Sequence, residues 1–193
     1  MRKVTYGAAC SLDGLITGPD GAIDWLHFSR DVQDVMATYW ATVDTVLMGR
    51  KTWEFAQSMQ GGKDAPADGG ADAVEAAGGE RSVPSGHTTY VFSRTLERVK
   101  GRRTHLVRDD AATFVRDMKA RPGGDICLMG GGELASSLLD AGVVDEVSLN
   151  IHPVLLGAGI PMFAPVARRV GLELAECRTL DGGCVLASYR VRA

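Results

Sequence analysis

Apolar and polar positions change their period along this chain, and the changes mark its elements. Lys3 to Cys10 alternates loosely and then turns small and apolar, the pattern of a central strand. Ser11-Leu-Asp-Gly14 turns, Leu15-Ile16 resumes the apolar run, and Gly18-Pro-Asp-Gly21 is a strong turn signal. A glycine-rich connection runs on to Trp25-Leu26. Ser29 is placed to cap a helix starting near Arg30, with Asp31 in its first turn and Val32, Val35, Met36, Tyr39 and Trp40 on its apolar face. Asp44 to Met48 is the next strand, and Gly49-Arg50-Lys51-Thr52 turns from it into a short helix through Trp53, Phe55 and Ala56.

Gln60 to Gly86 differs in kind. It is rich in Gly, Ala, Asp and Pro and has no large apolar residue between Met59 and Val74, so it reads as a flexible insertion and a potential lid, not a domain boundary. Beyond it, Thr88 to Phe92 and His105 to Val107 are strands, and Ala111 to Lys119 is a helix with Phe114, Val115 and Met118 inward. Ile126 to Met129 is a buried strand that leads through three glycines into a helix with apolar residues at Leu134, Ala135, Leu138 and Leu139. Val144 to Ile151 and Leu172 to Leu180 are strands, and Asp181-Gly-Gly183 turns into a final strand from Cys184 to Val191. Strands alternating with helices, then an antiparallel hairpin, predict an α/β three-layer sandwich around a mixed, mostly parallel sheet.

Composition narrows the function without naming it. The chain has 193 residues, 45% hydrophobic and 23% charged, enough for one domain with a real core. A net charge of −3 gives no basic field for nucleic acid. No apolar run reaches membrane-spanning length, and the N-terminus enters a strand pattern without a signal-peptide profile. Cys10, Cys127, Cys177 and Cys184 lack CxxC spacing, and His27, His87, His105 and His152 are scattered. The expectation is a reducing, cytoplasmic setting and no metal site.

The chemistry gathers at three strand ends: Met48-Gly-Arg-Lys-Thr52, Phe92-Ser-Arg-Thr95 and Met129-Gly-Gly-Gly132. In α/β sheets ligands bind beyond the carboxyl ends of strands. Glycine lets a diphosphate approach the backbone at a helix start, and Arg50 and Arg94 carry guanidinium forks for phosphate. Gly130-Gly-Gly132 with Ala135 also fits G-x-G-x-x-A, but it sits two-thirds along the chain and Asp145 precedes a strand, which argues against a Rossmann domain.

Four motifs in this order carry a family resemblance: Ala8-Ala-Cys-Ser-Leu-Asp-Gly-Leu-Ile16, Asp44-Thr-Val-Leu-Met-Gly-Arg-Lys-Thr-Trp53, Gly130-Gly-Gly-Glu-Leu134, and Asp145-Glu-Val with His152-Pro-Val-Leu-Leu-Gly-Ala-Gly-Ile-Pro161. Together they resemble the dihydrofolate reductase-like superfamily, and more narrowly the reductase domain of the bacterial riboflavin-biosynthesis deaminase/reductase and its stand-alone relatives. The resemblance implies NADPH lying across the strand ends. Ala9 and Ile16 would flank the nicotinamide under the loop through Trp25. Gly49, Arg50, Lys51 and Thr52 would meet phosphates, Ser93 and Arg94 the adenosine 2′-phosphate, and Gly130, Gly131, Gly132, Glu133 and Leu134 the diphosphate.

Dihydrofolate reductases place an acid about five residues beyond the loop Trp, a position that here is Arg30, with Asp31 next. Asp31 after a one-residue shift and Asp13 are therefore the candidate catalytic acids. Each has a plainer reading, as a helix-start acid and as a turn residue. Ser11, Asp13 and Trp25 are the candidate substrate contacts. The resemblance implies an NADPH-dependent reductase that delivers hydride to a C=N or C=O carbon of a small pterin- or pyrimidine-like substrate. Alternatives are a riboflavin-pathway ribosylaminopyrimidine reductase and a non-catalytic nucleotide-binding module. A homodimer is expected, with no nucleic-acid or membrane partner.

Overall fold

A computed structural model describes residues 1–60 and 86–192. The insertion read between residues 60 and 86 lies, apart from its two end residues, outside them. Ten strands and four α-helices are described in chain order: β1 (Val4–Ser11), β2 (Leu15–Thr17), α1 (Arg30–Trp40), β3 (Val43–Gly49), α2 (Arg50–Gln60), β4 (Thr88–Phe92), β5 (Thr104–Val107), α3 (Ala111–Lys119), β6 (Asp125–Gly130), α4 (Gly132–Asp140), β7 (Glu146–His152), β8 (Ile160–Pro161), β9 (Leu172–Thr179) and β10 (Val185–Val191).

Eight strands form one sheet in the order β5-β4-β3-β6-β1-β7-β10-β9. From β5 to β7 all neighbours are parallel, while β10 runs antiparallel to both β7 and β9. This is the mixed, mostly parallel sheet with a terminal hairpin that the sequence pattern predicts. Strand alternation then assigns the faces. Val4, Tyr6, Leu47, Ile126, Leu128 and Val147 point to one side and form the main core with Val115 and Met118 of α3 and Ala135, Leu138 and Leu139 of α4. On the other side α1 and α2 cover the sheet. Tyr39, Trp40 and Trp53 pack on Val43, Val46, Met48 and Cys127. Phe28, Val32, Val35 and Met36 pack on Leu180, Cys184 and Leu186.

Local chemistry sets the helix starts as read from sequence. Ser29 caps α1, its side chain accepting from the Val32 N–H, and Asp110 caps α3 by accepting from the Thr113 N–H at 2.8 Å. Ion pairs hold the amino ends of the strands. The buried Lys119 ammonium donates to Asp145 at 2.6 Å, and Asp145 accepts from the Val4 N–H at 2.8 Å. Arg2 pairs with Asp44 and donates to Thr45 at 2.7 Å. The opposite, carboxyl ends are left to glycine turns and loops.

One small sheet is added to the sequence reading, and the expected hairpin turn is present in a defined form. β2 and β8, three and two residues long, form a small second sheet. The Asp181–Gly183 turn is a single 3-10 turn with Gly182 and Gly183 both at φ 79°. The β2–β8 pairing holds a strap of residues 160–164 across the molecule. Met162 donates its N–H to the Gly14 carbonyl at 2.9 Å and accepts from the buried Tyr6 hydroxyl at 2.6 Å. Ser136 of α4 donates to the Ala164 carbonyl at 2.7 Å.

Candidate functional site

The glycine-rich strand ends meet in space. β3 ends at Gly49 and α2 starts at Arg50; β6 ends at Gly130 and α4 starts at Gly132. Between them Gly131 adopts φ 91°, ψ 97° and supplies no side-chain cap to α4. The first-turn N–H groups of α4 have no intrahelical acceptor, as at any helix start, and here no Gly131 side chain replaces it; the positive end of the helix dipole lies at this turn. A methyl group on Gly131 would lie 3.5 Å from the Gly49 Cα and 3.5 Å from Thr52 Oγ1. A methyl on Gly132 would lie 3.1 Å from the Met162 carbonyl oxygen. Gly49, Thr52, Gly130, Gly131 and Gly132 thus form one backbone cradle, with the Leu134 side chain beside Gly49 and half-buried against the core.

Charged residues rim this cradle. Arg50 forks onto Glu54 at 3.1 Å, one turn along α2, and Lys51 reaches Glu133 at 3.8 Å, joining the two helix starts. Both pairs are exposed, so each contributes ~0.5 kcal/mol or less. Beyond β4 and β5 a cavity of about 240 Å³ is lined by Phe92, Ser93, Arg94, Arg108, Asp110 and Ser137. Ser93 shapes its wall by accepting from the Thr95 and Leu96 N–H groups at 3.2 and 3.1 Å. Arg108 donates to the Leu96 carbonyl at 2.7 Å. Sequence reasoning passed over Arg108, although it follows the end of β5 as Arg94 follows the end of β4.

A second hollow opens on the α1 face of the sheet. Along β1, Thr5, Gly7, Ala9 and Ser11 point toward α1, and their partners on β7 are Glu146, Ser148, Asn150 and His152. Val4 to Tyr6 and Cys10 to Ser11 are buried, whereas Gly7, Ala8 and Ala9 are only half-buried in the middle of a central strand. A methyl on Gly7 would meet nothing within 4 Å. Opposite, α1 buries only Val32; Val35, Met36 and Tyr39 stay half-exposed on its sheet-facing side. The small residues of β1 thus leave a slot between helix and sheet. Ala9 lies on its floor, and half-buried Ile16 in β2 follows the turn at its end.

The two candidate acids both sit near the carboxyl ends of β1 and β7, and both are engaged. Asp13 accepts from Ser11 Oγ at 2.6 Å, from the Leu156 N–H at 3.2 Å and from the Gly157 N–H at 2.8 Å, tying its turn to the loop after β7. Asp31 accepts from Ser29 Oγ, from its neighbour's N–H on Val32 at 2.9 Å and from the Asp181 N–H at 2.6 Å, joining the start of α1 to the β9–β10 turn. The Ser11 bond holds the Asp13 carboxyl below its ordinary range, with the Gly157 N–H adding to it. The Ser29 bond does the same for Asp31, with the Asp181 N–H adding to it.

His152 emerges as the neighbour that its scattered position in the sequence did not reveal. It is buried, its ring centroid lies 5.3 Å from that of Trp25 in an edge contact, and its Nδ1 accepts from the His27 N–H at 3.3 Å. Cys184 Sγ lies 3.4 Å from the same nitrogen. Burial, and secondly His27, lowers its pKa, so a neutral imidazole with its proton assigned to Nε2 stands at the slot end near neutral pH. Trp25 is held by donating Nε1 to the Ala22 carbonyl at 3.3 Å. Among the described residues no three His, Cys, Asp or Glu side chains converge at metal-binding spacing, and no helix is long and apolar enough to cross a membrane.

Comparison with known proteins places this geometry. An uncharacterized protein of Bacillus subtilis (strain 168), YyaP, is 31% identical over 189 residues, covering 98% of this chain and 95% of that protein. A solved Shewanella sp. PV-4 protein named for riboflavin biosynthesis is similar over 100% of both chains, with a TM-score of 0.78 at 23% identity. Dihydrofolate reductase from Enterococcus faecalis, solved with NADP(H), is similar over 99% of this chain and 97% of its own, with a TM-score of 0.64 at 13% identity. The architecture is that of the dihydrofolate reductase-like fold, and residues 2–186 match the family model of the RibD C-terminal domain, so the chain belongs to that family.

Proposed function

We propose that the protein is an NADPH-dependent reductase acting on a small, planar, pterin- or pyrimidine-like substrate. Membership of the RibD C-terminal domain family supports oxidoreductase chemistry in general. The observation that carries the finer reading is the uncapped start of α4 packed glycine to glycine against the start of α2. A side chain at Gly131 would fill the space that a diphosphate needs, and the free N–H groups there match its oxygens. Arg50, Arg94 and Arg108 supply cations for the phosphates; of the two carboxylates that also line the adjoining wall, Asp109 and Asp110, the second is spent on the Thr113 N–H. The residues present therefore fit the cofactor.

In this reading Gly49, Thr52 and Gly130 to Leu134 hold the diphosphate, Lys51 and Glu133 flank it, and Ser93, Arg94 and Arg108 hold the adenosine end. Ala9, Ile16 and Trp25 bound the nicotinamide. When bound, NADPH supplies the hydride. The chain supplies position: the slot between α1 and β1 holds the acceptor ring flat beside the strand ends, and Trp25 with His152 closes one end against water. Asp13 and Asp31, held ionised by their hydrogen bonds, orient the surrounding loops, and a water admitted to the slot gives the proton. A riboflavin-pathway ribosylaminopyrimidine is one substrate of the required shape.

The test is NADPH oxidation, followed by absorbance, against a panel of pterin and pyrimidine carbonyl compounds. Turnover of any of them supports the reductase. The engagement of both acids favours a second reading, a nucleotide-binding module without turnover. NADPH binding with no turnover across the panel would select it, and failure to bind NADPH would overturn both.

A further inference from the structure

Among the described residues three buried side-chain oxygens on this side of the sheet have no hydrogen-bond partner: Thr5 Oγ1 near the start of β1, the Tyr39 hydroxyl of α1, and Asn150 Oδ1 beside Ala9. Asn150 lies on β7 between Ala9 of β1 and Leu186 of β10, on the face that looks toward α1. Its side-chain oxygen is buried and has no hydrogen-bond partner. The residue as a whole is only half-buried, and a half-turn about χ2 exchanges the oxygen with the nitrogen of the same carboxamide. A buried amide oxygen left unpaired forfeits the hydrogen bonds it would make to water. Natural cores seldom carry that cost in mid-strand without a use.

The groups around it are accounted for. Ser148, two residues back on the same face, is bonded to Ser188 at 2.8 Å. Glu146, two further back, is paired with Lys3 at 3.2 Å. Asp13 and Asp31 are tied to backbone N–H groups, and His152 is neutral. Midway along the slot floor, small apolar surface from Gly7 and Ala9 lies beside this unpartnered neutral amide. The floor has no unpaired charge, among the described residues, to meet a charged ring.

We propose that Asn150 is the substrate-reading residue, its carboxamide hydrogen-bonding a neutral ring carbonyl or lactam edge laid over Gly7 and Ala9. The inference rests on the slot being the substrate site. A carboxamide offers one donor and one acceptor side by side, the complement of an adjacent C=O and N–H. A protonated amidine presents donors only and needs a carboxylate, which Asn150 is not. The slot thus selects neutral lactam rings and rejects cationic diamino rings of the same outline.

Fluorescence titration with lumazine, a neutral ring with lactam edges, and with 2,4-diaminopteridine, at a pH where its amidine edge is protonated, tests this. The unaltered protein is expected to bind lumazine about 10-fold tighter or more. Asn150→Leu should lose about 10-fold in lumazine affinity while keeping its melting temperature, since it also removes the unpaired oxygen. Asn150→Asp should reverse the preference. Gly7→Val, for which there is room on the strand, should fold and bind neither ring. Unchanged lumazine affinity in Asn150→Leu, a lumazine preference kept by Asn150→Asp, or full binding by Gly7→Val would each overturn the proposal. NADPH titration separates the two ideas. Asn150-dependent lumazine binding without NADPH binding would sink the reductase and leave Asn150 standing. NADPH binding with no lumazine binding to the unaltered protein would do the reverse.

Discussion

Gly49 and Gly131 meet backbone to backbone: a methyl added at Gly131 would stand 3.5 Å from the Gly49 Cα and 3.6 Å from its nitrogen. The two residues end different strands and open different helices, so their contact fixes how α2 and α4 present their N-termini together. Gly131→Ala must also hold φ near 91°, a region L-residues avoid. We expect it to cost about 1–3 kcal/mol in denaturant unfolding and to abolish measurable NADPH binding. Retained affinity in a folded Gly131→Ala protein would move the diphosphate elsewhere.

The arginines divide the cofactor. Arg94 lines the cavity beyond β4, and Arg50 is held by Glu54. A hydrogen bond to a charged group contributes about 1.5–3 kcal/mol net. Arg94→Ala should therefore weaken NADPH roughly 10- to 100-fold and leave NADH nearly unchanged, because NADH has no phosphate there. Titration of both cofactors on Arg50→Ala and Arg94→Ala decides the matter. Equal losses would put that arginine on the shared diphosphate, and no loss would remove it from the site.

Asp31 predicts a pH dependence with a definite sign. Its folded pKa is lowered, so the stabilisation it gives is fully present above the ordinary carboxylate value and is lost as pH falls below about 4. Asp31→Asn should flatten the acid limb of thermal stability below about pH 4 and leave the neutral range without a new titration. An Asp31-dependent inflection in activity between about pH 5 and 8, where catalytic acids are tuned to work, would instead make it the proton donor.

Much of this was legible in the chain and some was not. Ser29 announced its helix because capping is a local chemistry, and the two glycine-bearing strand ends announced the cradle because neighbouring parallel strands end at one edge. β2 and β8 were too short to carry a period. The status of Asn150 was hidden for another reason. A polar residue in alternation reads as a solvent-facing position until α1 is known to pass overhead, and only the missing Cβ at Gly7 shows that the helix does not touch the floor. Asp31 was ambiguous because a helix-start acid and a pocket acid occupy the same sequence position. Its hydrogen bond to Asp181, 150 residues away, decides where it points.

The sheet ends in an uncovered strand. All eight residues of β9 are exposed, Leu172 and Leu174 by 41% and 56%, and among the described residues its outer backbone edge has no neighbouring strand in the sheet order. Pairing with a second copy about a two-fold axis would satisfy that edge, and we propose a homodimer joined there. Light scattering should give a mass near twice 20.5 kDa, and Leu174→Lys should lower it to one chain. A mass near 20.5 kDa for the unaltered protein at micromolar concentration would refute the dimer.

The strap of residues 160–164 has a thermodynamic consequence. Its Met162 is bonded to the Gly14 carbonyl and to Tyr6 beneath the sheet, and its main chain lies against Gly132 at the first turn of α4. One rigid segment therefore touches both the turn beside the slot and the helix start in the cradle, and whatever steadies it at one end steadies it at the other. Two ligands that share such a segment are coupled, and coupling of this kind is reciprocal. The factor by which a filled cradle tightens the slot must equal the factor by which a filled slot tightens the cradle, so the two halves of the cycle, titrated separately, have to close.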